Sequence, residues 1–269
     1  MWHHLGYDFV RLELAMAFPH GSRPGGDAGR VYAETAAGPI GSWDDFERYP
    51  WPSPRDADFA AHHYIGEHLP DGMGLISCHA GGIYEHLSTL FGYERLCFAL
   101  FDQPDLVQAV ADRIGGRMAE YYRRLLEVPR LIAIFPGDDM GFRSGTLISP
   151  DALRRLTLPW HERFARMTHD AGLPYFLHSC GNLEGILPDL VERVGIDAKH
   201  SFEDAILPVA EFKRRWGGRI GVLGGVDLDK LARLSAAMCG RSLTPARPAA
   251  ASPSARATAC PTTSPSRTT

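Results

Sequence analysis

From about residue 70 onward the chain alternates short apolar runs with longer amphipathic stretches, and this alternation limits the choice of fold more than any other feature. Strand candidates are Gly74–Cys78, Leu131–Phe135, Tyr175–His178, Ala198–His200 and Ile220–Leu223, with a sixth at Tyr7–Leu12 in a less regular first third. The segments between them carry helix punctuation. Ser149-Pro150 places a capping hydroxyl before a proline at the first helical position, opening a helix toward Gly172 that Pro159 should kink. In 183–194, Leu183, Ile186, Leu187, Leu190, Val191 and Val194 fall on one face, with Asn182 placed to cap and Gly195 to end the helix. Pro188 predicts a bend within it. Asp227 is placed to cap a further helix over Leu228–Leu234. Strand alternating with helix over this distance predicts an α/β fold with a parallel sheet covered by helices, either a (β/α)₈ TIM barrel or a doubly wound sheet. No GxGxxG follows the first strand, which weakens the dinucleotide-binding version.

The alternation stops near residue 240. Residues 241–269 comprise 7 Ala, 6 Thr, 5 Ser, 5 Pro and 4 Arg, with Leu243 and Cys260 as the only others. Such a segment cannot bury enough surface to offset its conformational entropy, so it reads as a disordered tail behind a barrel domain at 1–240. The chain's net charge of −4 divides into +4 on the tail and −8 on the rest, which has 24 basic and 32 acidic residues. Neither nucleic acid nor an anionic membrane is implied as partner. No apolar run approaches the ~18–20 residues of a membrane span, and no signal sequence follows Met1. Five widely spaced cysteines without a CxxC pair favour a reducing cytoplasm over a disulfide framework. The Gly- and Pro-rich stretch Pro19–Pro54 reads as a long excursion over the barrel mouth. His62, His63 and His68, in a helix just after it, read as surface histidines.

Chemistry concentrates where strands end. Tyr175-Phe-Leu-His178-Ser-Cys180-Gly-Asn182 runs a strand straight into a turn, and parallel α/β folds build their sites at the C-terminal ends of strands. His178 and Cys180 are two apart and project to one side of extended backbone. An imidazole and a thiolate together suit Zn²⁺, bound by each at ~2.0–2.3 Å; a buried thiol beside a core histidine satisfied by a carbonyl fits the spacing as well. Gly137-Asp138-Asp139-Met140-Gly141 follows another strand. Adjacent residues point apart, so at most one aspartate faces the barrel axis, as a catalytic or substrate-holding acid; a loop-stabilising pair is the alternative. Gly224-Gly225-Val226-Asp227 permits close backbone approach to a ligand, and a helix cap also explains Asp227. Cys78-His79-Ala-Gly-Gly and His200-Ser-Phe-Glu203 lie at the same end of their strands.

Taken together, Gly-Asp-Asp-Met-Gly (137–141), Ser-Gly-Thr-Leu-Ile-Ser-Pro (144–150) and His-Ser-Cys-Gly-Asn (178–182) resemble the uroporphyrinogen decarboxylase superfamily. Gly-Ile-Asp-Ala (195–198), His-Ser-Phe-Glu (200–203), Gly-Gly-Val-Asp (224–227) and the Gly-Pro-Ile-Gly-Ser-Trp stretch from 38 continue the resemblance over about residues 5–235. It implies a (β/α)₈ barrel with its site at the C-terminal mouth. One branch decarboxylates uroporphyrinogen without metal, using an Arg-Gln-Ala-Gly-Arg type of motif that this chain lacks. The other comprises zinc-dependent methyltransferases acting between corrinoid proteins and thiols, with a His-x-Cys pair that His178 and Cys180 match. The resemblance thus implies Zn as cofactor and a corrinoid or corrinoid-protein methyl donor, and the strand-end residues Asp139 and Asp227 are the candidate catalytic acids lining the pocket. The branch's third ligand, a later cysteine, is matched by neither Cys239 nor Cys260. Six strands against eight predict a barrel incomplete at both ends, from a late start and a frameshift near residues 235–241. Uroporphyrinogen decarboxylation, in porphyrin biosynthesis, and a catalytically inactive barrel fragment are the competing expectations.

Overall fold

The computed structural model describes residues 3–19 and 37–226. All six anticipated strands form: β1 (Phe9–Glu13), β2 (Gly74–His79), β3 (Leu131–Pro136), β4 (Phe176–His178), β5 (Ala198–His200) and β6 (Gly221–Val222). Every pairing is parallel, in the orders β1-β2-β3 and β4-β5-β6. Parallel bridges Ile134–Tyr175 and Gly137–His178 join β3 to β4. The spatial order therefore follows the chain order without reversal. A doubly wound sheet needs a reversal, so that alternative is excluded for the described strands. Among the described residues the sheet does not close on itself: β1 and β6 each pair on one side only.

Period-two alternation divides the sheet into two faces. Val10, Leu75, Ile134, Tyr175 and Leu177 point into the large apolar core shared with the helices. Ile76, Cys78 and Ala133 pack with Phe9, Phe135 and Phe176 in a second, smaller cluster on the opposite face. The helices are α1 (Trp43–Arg48), α2 (Ala60–His68), α3 (Ile83–Phe91), α4 (Tyr93–Asp102) and α5 (Pro104–Leu125), followed by α6 (Pro150–Leu156), α7 (Leu158–Asp170), α8 (Leu187–Asp189) and α9 (Val209–Trp216). In α3, Ile83, Leu87, Leu90 and Phe91 recur at helical spacing and are fully buried, each contributing roughly 2 kcal/mol through the apolar surface it removes from water.

Several local expectations need correction. The segment from Ser149 to Gly172 is two helices broken at Thr157 (φ −107°, ψ −53°), not one kinked rod, because Pro159 at the start of α7 offers no N–H to continue α6. The Leu183–Val194 helix begins four residues late. Asn182 Oδ1 accepts the Glu184 N–H at 3.0 Å in a local turn, so Leu183 and Ile186 bury from a loop, and α8 continues into a wide turn over Leu190–Val194 that Gly195 ends at φ +75°. The excursion before Pro54 contains α1, capped by the Ser42 hydroxyl, which accepts the Asp45 N–H at 3.2 Å. His62 is buried, 2% exposed, with Nε2 3.2 Å from the Ser77 hydroxyl on β2, whereas His68 is exposed as expected. The 241–269 tail, Asp227 with its helix, Cys239 and Cys260 lie outside the described residues.

Candidate metal centre

The C-terminal ends of β3 and β4 meet through backbone. Asp138 N–H donates to the His178 carbonyl (2.9 Å), and Asn182 N–H donates to the Phe142 carbonyl (2.7 Å). Two glycines make this approach possible. A Cβ on Gly181, which sits at φ +79°, would lie 2.2 Å from the Gly141 carbonyl carbon, and one on Gly141 would lie 2.6 Å from the Cys180 carbonyl oxygen. Only glycine tolerates both the left-handed backbone and that distance. The final glycines of the 137–141 and 178–182 motifs therefore press two loops together.

The two aspartates then diverge. Asp138 turns toward the helices and is fully buried. It accepts the N–H groups of Tyr84 (3.1 Å) and Glu85 (3.0 Å) at the start of α3, and His161 Nε2 lies 2.9 Å from its Oδ2. His161 Nδ1 lies 2.8 Å from the Tyr175 hydroxyl. A carboxylate at those N–H groups complements the positive end of the helix dipole. Asp139 turns the other way, and its Oδ1 accepts the Cys180 N–H at 2.8 Å and lies 3.4 Å from His178 Nε2. The expectation that at most one of the pair faces the site therefore matches this geometry, and Asp138 supplies the loop-stabilising role.

At the C-terminal end of β4 His178 and, two residues on, Cys180 lie together, with Cys180 Sγ 3.4 Å from His178 Nε2, while Ser179 turns back and its hydroxyl accepts the Met140 N–H at 3.1 Å. One donor atom each from Asp139, His178 and Cys180 lies within 4.8 Å of the others. Two ligand atoms held tetrahedrally at ~2.0–2.3 Å from one zinc ion stand about 3.3–3.6 Å apart. The two 3.4 Å separations match that edge, and the imidazole, thiol and carboxylate are a zinc donor set. The site residues can hold a metal ion.

Electrostatics follow from the same contacts. The hydrogen bond to Asp139, then that to Cys180, raises the His178 imidazolium to about 9 against the opposing effect of burial. Burial alone would raise the Asp139 carboxyl, but its bonds to His178 and the Cys180 N–H outweigh it and hold it below its ordinary value. Glu85 is pushed up to about 7 by burial and by the nearby carboxylates of Asp138 and Asp139. His200, the strand partner of His178, is pushed down to about 4 by burial and then by the His178 charge.

A cavity of about 300 Å³ opens beside these residues on the smaller apolar face, lined by Arg11, Glu13, Cys78, Phe135, His178 and His200 among others. Arg11 and Glu13, two apart on β1, pair with each other at 3.2 Å along one wall. Gly224 approaches the His200 ring, and Gly225 the Val209 side chain, so where the structure describes them the two glycines make room for protein rather than for a ligand. Sequence reasoning missed His161, Glu85 and the part played by His200. His161 gave no signal, lying in the first turn of α7, whereas Glu85 follows the Gly-Gly at a strand end and His200 opened a motif already noted. Among the described residues no helix is long and apolar enough to cross a membrane, and Cys78, Cys97 and Cys180 are free thiols.

The family model described as uroporphyrinogen decarboxylase (URO-D) matches residues 33–239. No curated protein matches the chain. Among solved structures, a methyltransferase from Methanosarcina mazei superposes with a TM-score of 0.61 at 20% identity, covering 82% of this chain and 65% of its own. The chain thus spans just under two thirds of that structure's length, and at this identity the likeness is one of fold.

Proposed function

The chain belongs to the uroporphyrinogen decarboxylase family, and from that premise we propose that it is a methyl-transfer enzyme built on a (β/α)₈ barrel, with zinc held by Asp139, His178 and Cys180. The observation that carries this reading is the convergence of those three donors, with the imidazole nitrogen 3.4 Å from both the thiol and the carboxylate. Three protein ligands leave the fourth position of a catalytic zinc for substrate. Bound there, zinc would hold an acceptor thiol as the reactive thiolate near neutral pH.

The protein's own groups have separate tasks in this reading. Asp139, expected from sequence as a pocket acid, becomes a ligand, and its bond from the Cys180 N–H fixes both donors relative to each other. Gly141 and Gly181 hold the two loops at that spacing. Asp227, outside the described residues, is proposed as a second pocket acid. The sequential parallel strand order supports the barrel, and the fold shared with a methyltransferase supports methyl transfer. A corrinoid donor, free or carried by a partner protein, and a thiol acceptor are supported by the motif resemblance. We place the enzyme in a reducing cytoplasm, which keeps the Cys180 thiol available.

Porphyrinogen decarboxylation fits less well. The substrate is a polycarboxylate, yet Arg11 is the one arginine or lysine among the described residues lining the cavity, and Glu13 already pairs with it. Metal analysis of the purified protein tests the reading. Stoichiometric zinc that is lost in Cys180→Ser is expected; no zinc together with turnover of a tetrapyrrole would replace methyl transfer with decarboxylation.

A further inference from the structure

His178 and His200 are directly paired across the parallel β4–β5 ladder. Their rings lie 4.9 Å apart between centroids, tilted by 35°, and bring Nδ1 of each to within 2.6 Å of the other. Two nitrogens at that distance share one proton: one ring donates and the other accepts. The other nitrogen of His178, Nε2, is the one that faces Cys180 Sγ and Asp139 Oδ1. A metal-ligating imidazole nitrogen must offer its lone pair, so the proton of a neutral His178 has to reside on Nδ1.

We propose that His200 is the positioning residue of the centre, accepting the Nδ1 proton of His178 and so turning the Nε2 lone pair toward Asp139 and Cys180. The inference rests on the zinc reading of the same site and names the residue that orients its imidazole ligand. His200 is itself held. The Phe135 ring meets it edge-on, with centroids 5.7 Å apart at 90°. Gly224, at φ +83°, leaves space on the far side, where a Cβ would come within 2.7 Å of His200 Cδ2 and 2.9 Å of its Nε2. The first glycine of the 224–227 motif is thereby explained: it admits the ring that orients the ligand.

Partners of this kind are worth 10–100-fold in metal affinity. The test compares the full chain with His200→Leu, which removes the acceptor, and His200→Asn, whose side-chain oxygen can stand where Nδ1 does. Zinc affinity is read by chelator competition, the visible spectrum of the Co(II)-loaded forms reports ligand geometry, and far-UV circular dichroism reports folding. Zinc affinity is expected to fall about 10–100-fold in His200→Leu with an altered Co(II) spectrum, and to stay within about threefold of wild type in His200→Asn. A folded His200→Leu variant that binds zinc as tightly as wild type overturns the inference and leaves the zinc reading standing. Wild-type protein that takes up no zinc overturns the zinc reading, and this inference with it. Long-range ¹H–¹⁵N correlations of the His178 ring in the zinc-loaded wild type locate the proton without any substitution: a proton on Nδ1 is expected, and one on Nε2 overturns the proposal.

Discussion

Replacing Asp138 with alanine should be among the most damaging single substitutions in the molecule, although Asp138 does not face the cavity. Its carboxylate is fully buried and accepts three hydrogen bonds, from the Tyr84 N–H, the Glu85 N–H and His161 Nε2. Alanine keeps the Cβ and strands all three donors. A buried donor left unpaired costs about 1–3 kcal/mol; with Glu85 partly accessible, the expected loss is about 3–6 kcal/mol. Against a total of about 5–15 kcal/mol for a typical domain, that is enough to leave much of the protein unfolded at 37 °C. Urea titration followed by circular dichroism at 25 °C measures it, and Asp138→Asn, whose single oxygen standing in place of Oδ2 keeps the Tyr84 N–H and His161 Nε2 and leaves only the Glu85 N–H without its acceptor, should lose less than Asp138→Ala. A loss below about 1 kcal/mol in Asp138→Ala would refute the view that this carboxylate anchors the start of α3 to the end of β3.

Two further outcomes follow from the same geometry. Gly181→Ala forces a Cβ to within 2.2 Å of the Gly141 backbone at φ +79°; adding ~1–2 kcal/mol of left-handed strain to that clash should lower Tm by about 5 °C or more and reduce zinc occupancy, and an unchanged Tm with full zinc would contradict the packed-glycine argument. His79, hydrogen-bonded to the Tyr122 hydroxyl at 2.8 Å, is pushed down to about 3, chiefly by burial and then by the charges of His86 and His161. Free histidine titrates near ~6.5, so below that pH the unfolded chain binds a proton the native chain refuses. Stability is fully present above about pH 6.5 and falls toward pH 3, with His79 adding a slope approaching about 1.4 kcal/mol per pH unit. Urea titrations between pH 7 and pH 4 should show that slope reduced in His79→Gln, and equal slopes in the two proteins would contradict the assignment.

The strand-helix alternation was readable because each strand is a short apolar run bounded by turn residues, and the six strands fall within two residues of their expected limits. The His178–Cys180 juxtaposition was readable for a related reason, since period-two geometry is local. What local pattern could not supply was contact across chain distance. Asp139 meets the Cys180 N–H over a separation of 41 residues, and nothing in Gly-Asp-Asp-Met-Gly states which aspartate turns inward or what it meets. His161 was invisible because a histidine amid the polar and apolar residues of α7 has no periodic signature; only the fold places it against Asp138. Asn182 misled because the same side chain that caps a helix also closes a local turn, and there the turn prevailed. The glycines of the 137–141 and 178–182 motifs were noticed, but that they face each other is a property of the assembled sheet.

X-ray absorption at the zinc edge of the loaded wild-type protein tests the central claim most directly. Asp139, His178 and Cys180 as the protein ligands predict a first shell with one sulfur at ~2.3 Å and the remaining nitrogen and oxygen scatterers at ~2.0–2.2 Å, with the sulfur contribution lost in Cys180→Ser. A shell with no sulfur, or one with two sulfurs in zinc-loaded protein free of added thiol, would contradict the ligand set.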